Sequence, residues 1–129
     1  MKVCIDTSAY IAMEHGNAAV AAFLAECEEV VVPAATFAEL AEGNYRRDNP
    51  AKAHVALNSF LDKKNVKFVP AGNAISFRYA EIAHSLRRKG HMIPQNDIWI
   101  AATAFETGSR VLSYDHHFDE IDGLGRLAP

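Results

Sequence analysis

Val3-Cys4-Ile5 is an unbroken apolar run that ends on Asp6, with Thr7 and Ser8 directly after it. A run of this kind marks a strand covered on both faces, hence a central parallel strand. Thr7 or Ser8 is placed to cap the helix that begins with Tyr10 and Ile11. Beyond a break at Gly16-Asn17, Val20, Phe23, Leu24 and Cys27 recur at i, i+3, i+4 and i+7. That spacing is one face of a helix, with Asn17 as its cap. Glu29 to Val32 reads as a short strand closed by Pro33, and Thr36-Phe37-Ala38-Glu39-Leu40 starts the next helix. Gly43-Asn44 interrupts or ends it, and the segment from Gly43 to Pro50 is the most polar of the chain.

Asn49-Pro50 supplies a cap and a first-turn proline for a fourth helix. Ala53, Leu57, Phe60 and Leu61 form its apolar side, and Lys63-Lys64 suit its C-terminal end. Val66 to Val69 is a third strand, stopped by Pro70. Asn73 opens a long helix striped by Ile75, Tyr79, Ile82 and Leu86 and ended by Gly90. After Pro94, the stretch from Asn96 to Phe105 is apolar almost all round, as a buried helix is, and Gly108 ends it. Val111-Leu112-Ser113 is a strand running into Tyr114-Asp115, and Arg126-Leu127-Ala128 has room for an edge strand. Strands alternating with helices predict an α/β domain, a parallel sheet with helices on both faces.

Composition narrows the class without changing that picture. The chain has 129 residues, half of them hydrophobic, which suits one domain with a real core. A formal net charge of −3 gives no global basic field to recruit nucleic acid or an anionic membrane. The N-terminus lacks a signal-peptide core and no apolar run is long enough for a bilayer, so a cytoplasmic location is expected. Cys4 and Cys27 have no metal-type spacing and read as buried thiols.

Three acids occupy comparable places. Asp6 follows the first strand, Asp115 follows Val111–Ser113, and Asp97 lies in the first turn of the buried helix, just inside an Asn96 cap. In right-handed βαβ connections, strand C-ends and helix N-termini share one edge of the sheet. Glu39, one turn into the helix after strand two, reaches the same edge. Four carboxylates on one rim repel unless a cation sits among them, and oxygen-only ligands select Mg²⁺ or Mn²⁺. Each acid also has a plainer reading. Thr36-x-x-Glu39 is a formal capping box, Asp97 complements a helix dipole, and Asp6 and Asp115 are turn formers. Their coincidence on one edge is what favours a site.

His116-His117 reads as surface, or as groups supporting a ligand from behind, since adjacent histidines point different ways. Trp99 and Tyr79 read as core. Arg46-Arg47 and Arg87-Arg88 read first as solvated helix-end charge, and otherwise as phosphate contacts.

Taken in order, Ile5-Asp6-Thr7-Ser8, Ala38-Glu39-Leu40, the block Asn96-Asp97-Ile98-Trp99-Ile100-Ala101-Ala102 and Ser113-Tyr114-Asp115-His116-His117-Phe118 resemble the PIN-domain ribonucleases. The nearest likeness is to VapC-type toxins of toxin–antitoxin pairs, over essentially the whole chain. The resemblance implies one three-layer α/β/α domain over residues 1–129, with a central parallel sheet of four or five strands. It implies a Mg²⁺- or Mn²⁺-dependent endoribonuclease with Asp6, Glu39, Asp97 and Asp115 as the catalytic, metal-holding acids. Thr7 and Ser113 would be its supporting hydroxyls, and Arg46, Arg47, Arg87 and Arg88 its candidate RNA contacts. It also implies an RNA substrate (tRNA, rRNA or mRNA), a cognate antitoxin and a homodimer.

Three rivals remain at this stage. A receiver domain would want paired acids after strand one, an acid after strand three and a lysine after strand five; strand three ends Val69-Pro70-Ala71, and no lysine follows Lys89. An Asp-x-Asp phosphatase would want an acid where Ser8 stands. A non-catalytic PIN-like module that binds RNA or protein would be expected to lose acids, and four are present.

Overall fold

The computed structural model describes all 129 residues, Met1–Pro129. Strand β1 (Lys2–Ile5) has parallel partners on both sides, β2 (Glu29–Pro33) and β4 (Arg110–Leu112). Val3, Cys4 and Ile5 are fully buried, as their unbroken apolar run predicts. Strand β3 (Val66–Val69) lies outside β2, and β5 (Arg126–Leu127) outside β4. The result is one five-stranded parallel sheet in the order β3-β2-β1-β4-β5. The C-terminal stretch Arg126-Leu127 does form an edge strand.

Alternate residues of each central strand feed opposite layers. Val3, Ile5, Val30, Val32 and Leu112 pack under α1 (Thr7–Glu14), α2 (Ala18–Glu26), α3 (Ala34–Asn44) and α4 (Pro50–Leu61). Cys4, Val31 and Val111 face the other way, into α5 (Asn73–Lys89) and α6 (Gln95–Thr107). Helix α6 is the more deeply buried, with Ile98, Ile100, Ala101, Ala102 and Ala104 all shielded. Tyr79 and Trp99 pack against this layer with ring centroids 4.3 Å apart. Both cysteines are free and buried. No helix is long and apolar enough to cross a membrane.

Helix ends follow the sequence signals in several places. Asn17 accepts from the Val20 N–H and Asn49 from the Lys52 N–H. Gly90 and Gly108 stop α5 and α6 in the left-handed conformation that glycine adopts without penalty. Three expected caps are corrected. Asp6 itself, not Thr7 or Ser8, is the residue before α1, and Thr7 is its first helical position. Pro94 precedes α6, so Asn96 lies inside the helix rather than capping it. Pro33 precedes α3, which puts Thr36 in the first turn; its hydroxyl donates to the Ile5 carbonyl at 2.9 Å. The capping-box reading of Thr36 and Glu39 therefore fails. Thr36 instead ties α3 to the end of β1, and Glu39 projects one turn further along.

Candidate active site

Asp6 extends β1 by one residue beyond its last paired position, with its N–H bonded to the Leu112 carbonyl. That contact seats it at the C-terminal edge of the sheet between β1 and β4, where ligands gather in open parallel sheets. Asp6 is buried there. Ser113 Oγ donates to Asp6 Oδ2 at 2.6 Å, and Ser8 Oγ donates to the same oxygen at 3.2 Å. Each hydroxyl in turn accepts a backbone N–H from the segment leaving β4. Asp115 N–H bonds Ser113 Oγ at 2.9 Å, and Tyr114 N–H bonds Ser8 Oγ at 3.1 Å. The two serines thus hold Asp6 and orient the chain that carries Asp115.

Glu39 stands at the rim, solvent-exposed, and its Oε2 accepts from Asn96 Nδ2 at 3.0 Å. Asp97, next to Asn96 in the first turn of α6, turns toward Asp115. His117 sits between these two acids, its Nδ1 2.9 Å from Asp97 Oδ2 and 3.1 Å from Asp115 Oδ1. The His117 backbone N–H also donates to Asp115 Oδ1. All four acids line one open cleft of about 670 Å³, together with Thr7, Ser8, Asn96 and His117.

Charge in this cleft is poorly balanced. Burial raises the pKa of Asp6 above its ordinary value, opposed by hydrogen bonds from Ser113, the Thr7 backbone N–H and Ser8 and reinforced by the Glu39 charge. Burial also raises Asp97, against the His117 hydrogen bond and with the Asp6 and Asp115 charges. His117 is raised in its turn, chiefly by the Asp97 hydrogen bond. Carboxylates pushed up by burial and by one another gain from a nearby cation. The donor chemistry fits a hard divalent ion: carboxylate oxygens predominate, and Asp97, Asp115 and His117 offer ligand atoms within 4.8 Å of one another. Thr7 Oγ1 fits as well, being buried at this edge with no hydrogen-bond partner.

The arginines stand differently. Arg46 and Arg47 line a hollow that adjoins the acidic cleft through Thr7, Ile11 and Glu39. Arg46 pairs with Glu42, and Arg47 bonds both carboxylate oxygens of Glu14 at 2.9 Å. Arg87 and Arg88, in the last turn of α5, are exposed and do not line the acidic cleft. His116 and His117 do point different ways: His116 bonds Asp119 at 3.0 Å, outside the cleft. Sequence reasoning missed the direct parts played by Ser8, Asn96 and His117. Their one local signal is adjacency, since each lies within two residues of a candidate acid.

The PIN domain profile matches residues 3–124. The chain belongs to the PIN-domain family. Among characterised relatives it is similar to Ribonuclease VapC5 of Mycobacterium tuberculosis (strain ATCC 25618 / H37Rv), 29% identical over 126 residues, which covers 95% of this chain and 90% of that protein. Its fold is that of the DNA-bound VapBC structure from Salmonella typhimurium, with a TM-score of 0.88 at 18% identity over 98% of this chain and 97% of that one. A structure of VapBC-5 from Mycobacterium tuberculosis, a member of the VapBC family of toxin–antitoxin systems, superposes with a TM-score of 0.74 at 24% identity over 98% of both chains. In this PIN domain the acids come from β1, α3, α6 and the exit of β4, elements far apart in sequence that the parallel sheet gathers at one edge.

Proposed function

We propose that this PIN-domain protein is a metal-dependent endoribonuclease, the toxin of a toxin–antitoxin pair, cleaving RNA phosphodiester bonds in the acidic cleft. One observation carries the reading: Asp6, Glu39, Asp97 and Asp115 meet in one open cleft. The similarity to a protein named a ribonuclease supports the substrate class.

In this reading Asp6, Glu39, Asp97 and Asp115 hold Mg²⁺ or Mn²⁺. Such an ion, when bound, supplies Lewis acidity toward a phosphate oxygen and lowers the pKa of a bound water. The chain's own groups prepare the place. Ser113 and Ser8 fix the buried Asp6 carboxylate, Asn96 holds Glu39 at the rim, and the open cleft admits an RNA backbone. Arg46 and Arg47, in the adjoining hollow, are the RNA contacts best placed to follow a strand out of the cleft; Arg87 and Arg88 would contact it only peripherally. Water attack at phosphorus leaves a 5′-phosphate on one product and a 3′-hydroxyl on the other. The protein acts in the cytoplasm, forms a homodimer, and is silenced by a small antitoxin encoded beside it.

The test is cleavage of total cellular RNA by purified protein with Mg²⁺, with Mn²⁺ and with EDTA, and sequencing of the RNA ends. Cleavage with either ion and none with EDTA is expected. Undiminished cleavage by demonstrably metal-free protein would refute the mechanism. Harmless overexpression, with no neighbouring product that binds, would remove the toxin reading and leave the nuclease one.

A further inference from the structure

We infer that His117 is itself a metal ligand, through Nδ1, and that the resulting nitrogen-and-oxygen donor set makes this site prefer Mn²⁺ over Mg²⁺. The inference rests on the cleft being a metal site, as proposed above, and concerns a residue outside the four acids.

Geometry is the first support. His117 Nδ1 lies 2.9 Å from Asp97 Oδ2 and 3.1 Å from Asp115 Oδ1. An octahedral ion with bonds of about 2.1 Å has neighbouring ligand atoms about 3 Å apart. His117 Nδ1 is therefore spaced from each carboxylate oxygen as adjacent ligands of one such ion are, and the three residues offer ligand atoms within 4.8 Å of one another. That same nitrogen bonds Asp97 and faces Asp115, so the atom that an entering ion would meet already points into the acid pair.

The backbone that carries the ring is also held in place. The His117 N–H closes a turn onto Asp115 Oδ1 at 2.9 Å. Phe118, the next residue, is fully buried in the α5–α6 layer and anchors the 3₁₀-helix His116–Glu120. The imidazole thus starts from a fixed backbone position beside both acids. Its neighbour His116 is turned out to Asp119 and Arg126, so the adjacent histidine provides an internal control.

Ligand chemistry gives the selectivity. Octahedral all-oxygen sites suit Mg²⁺ and Mn²⁺ alike, whereas an imidazole nitrogen suits a first-row transition ion better than it suits Mg²⁺. Replacing one carboxylate-type position by nitrogen weakens the case for Mg²⁺ and strengthens it for Mn²⁺.

The experiment uses the full chain and Mn²⁺ alone as probe. Pulsed electron paramagnetic resonance of the Mn²⁺ complex should show directly bonded nitrogen, and isotopically labelled histidine should change that signal. The signal should vanish in His117→Ala and in His117→Gln and persist in His116→Ala. Calorimetric titration should show the Mn²⁺-to-Mg²⁺ affinity ratio falling by about tenfold in His117→Ala. His117 is about half exposed, so both variants should fold, which circular dichroism checks. Mn²⁺ bound with no nitrogen coupling, at an affinity unchanged in His117→Ala, overturns the inference and leaves the carboxylate site standing. No Mn²⁺ binding by the parent protein overturns both.

Discussion

Ser113 Oγ sits 2.6 Å from Asp6 Oδ2, joining two residues 107 positions apart in the chain. It is the shortest bond to a buried carboxylate whose burial already opposes its charge. Removing the hydroxyl leaves Ser8 as the one side-chain donor to Asp6 and deprives the Asp115 N–H of its acceptor. A hydrogen bond to a charged group is worth about 1.5–3 kcal/mol. Ser113→Ala should therefore lose roughly that much stability in urea denaturation, with an unchanged m-value. In an Asp6→Asn background the loss should fall to about 1 kcal/mol, the neutral value. A Ser113→Ala protein as stable as the parent would show that this bond does not hold the site together.

Glu39 is bonded from Asn96, not from the Thr36 backbone, so its carboxylate has no capping duty. Glu39→Gln should leave the melting temperature near that of the parent. RNA cleavage should drop by at least about 10²-fold, the scale for losing a group that stabilises the transition state. Asn96→Ala, which frees the Glu39 side chain, should cost about tenfold. Near-normal turnover in Glu39→Gln would remove Glu39 from the reacting set.

Asp97→Asn should have different stability effects on the two sides of the histidine range. Burial, Asp6 and Asp115 raise the Asp97 pKa in the fold. Its charged form is therefore a burden at high pH, and Asn relieves it. His117 is raised by Asp97, so its contribution is complete below its ordinary value of about 6.5 and fades as pH rises through the higher folded value. Asn forfeits that contribution. The metal-free variant should melt at or above the parent near about pH 8 and lose that advantage near about pH 6. Thermal unfolding in EDTA measures both, and a difference independent of pH would contradict the account. With Mg²⁺ present the parent should gain stability by mass action, and Asp97→Asn should gain less.

Asp119 offers an acid-side prediction away from the cleft. Arg126 grips both its oxygens, Nε at 2.8 Å and Nη2 at 3.2 Å, and His116 adds a third contact. Arg126 first, then His116, lowers the Asp119 pKa to about 2. A depressed carboxylate contributes above its unfolded value of about 3.9, and the contribution disappears as pH falls through the folded value. Asp119→Asn should be modestly less stable than the parent at neutral pH, since the pair is exposed. The gap should close between about pH 4 and pH 2. Urea midpoints across that range measure it, and a gap that widens on acidification would reverse the sign.

The order of strands and helices, the central place of β1 and the meeting of four acids at one sheet edge were all legible in the sequence. Each is encoded locally or by a general rule. An unbroken apolar run means a doubly covered strand, and parallel crossovers bring strand C-ends and helix N-termini to one side. Asn17, Asn49, Gly90 and Gly108 acted as read because a cap needs only its own turn. What the tertiary structure decided is which side chain meets which. Ser8 and Ser113 meet at Asp6, Asn96 at Glu39, and His117 between Asp97 and Asp115. These partners arrive from separate elements, and their pairing depends on how helices sit on the sheet to within an ångström. The misplaced caps have the same origin. Thr36 has the right spacing for a capping box, but the Ile5 carbonyl at the end of β1 claimed its hydroxyl. A side chain at a helix start can serve its own helix or a neighbouring element, and only the packed fold decides between them.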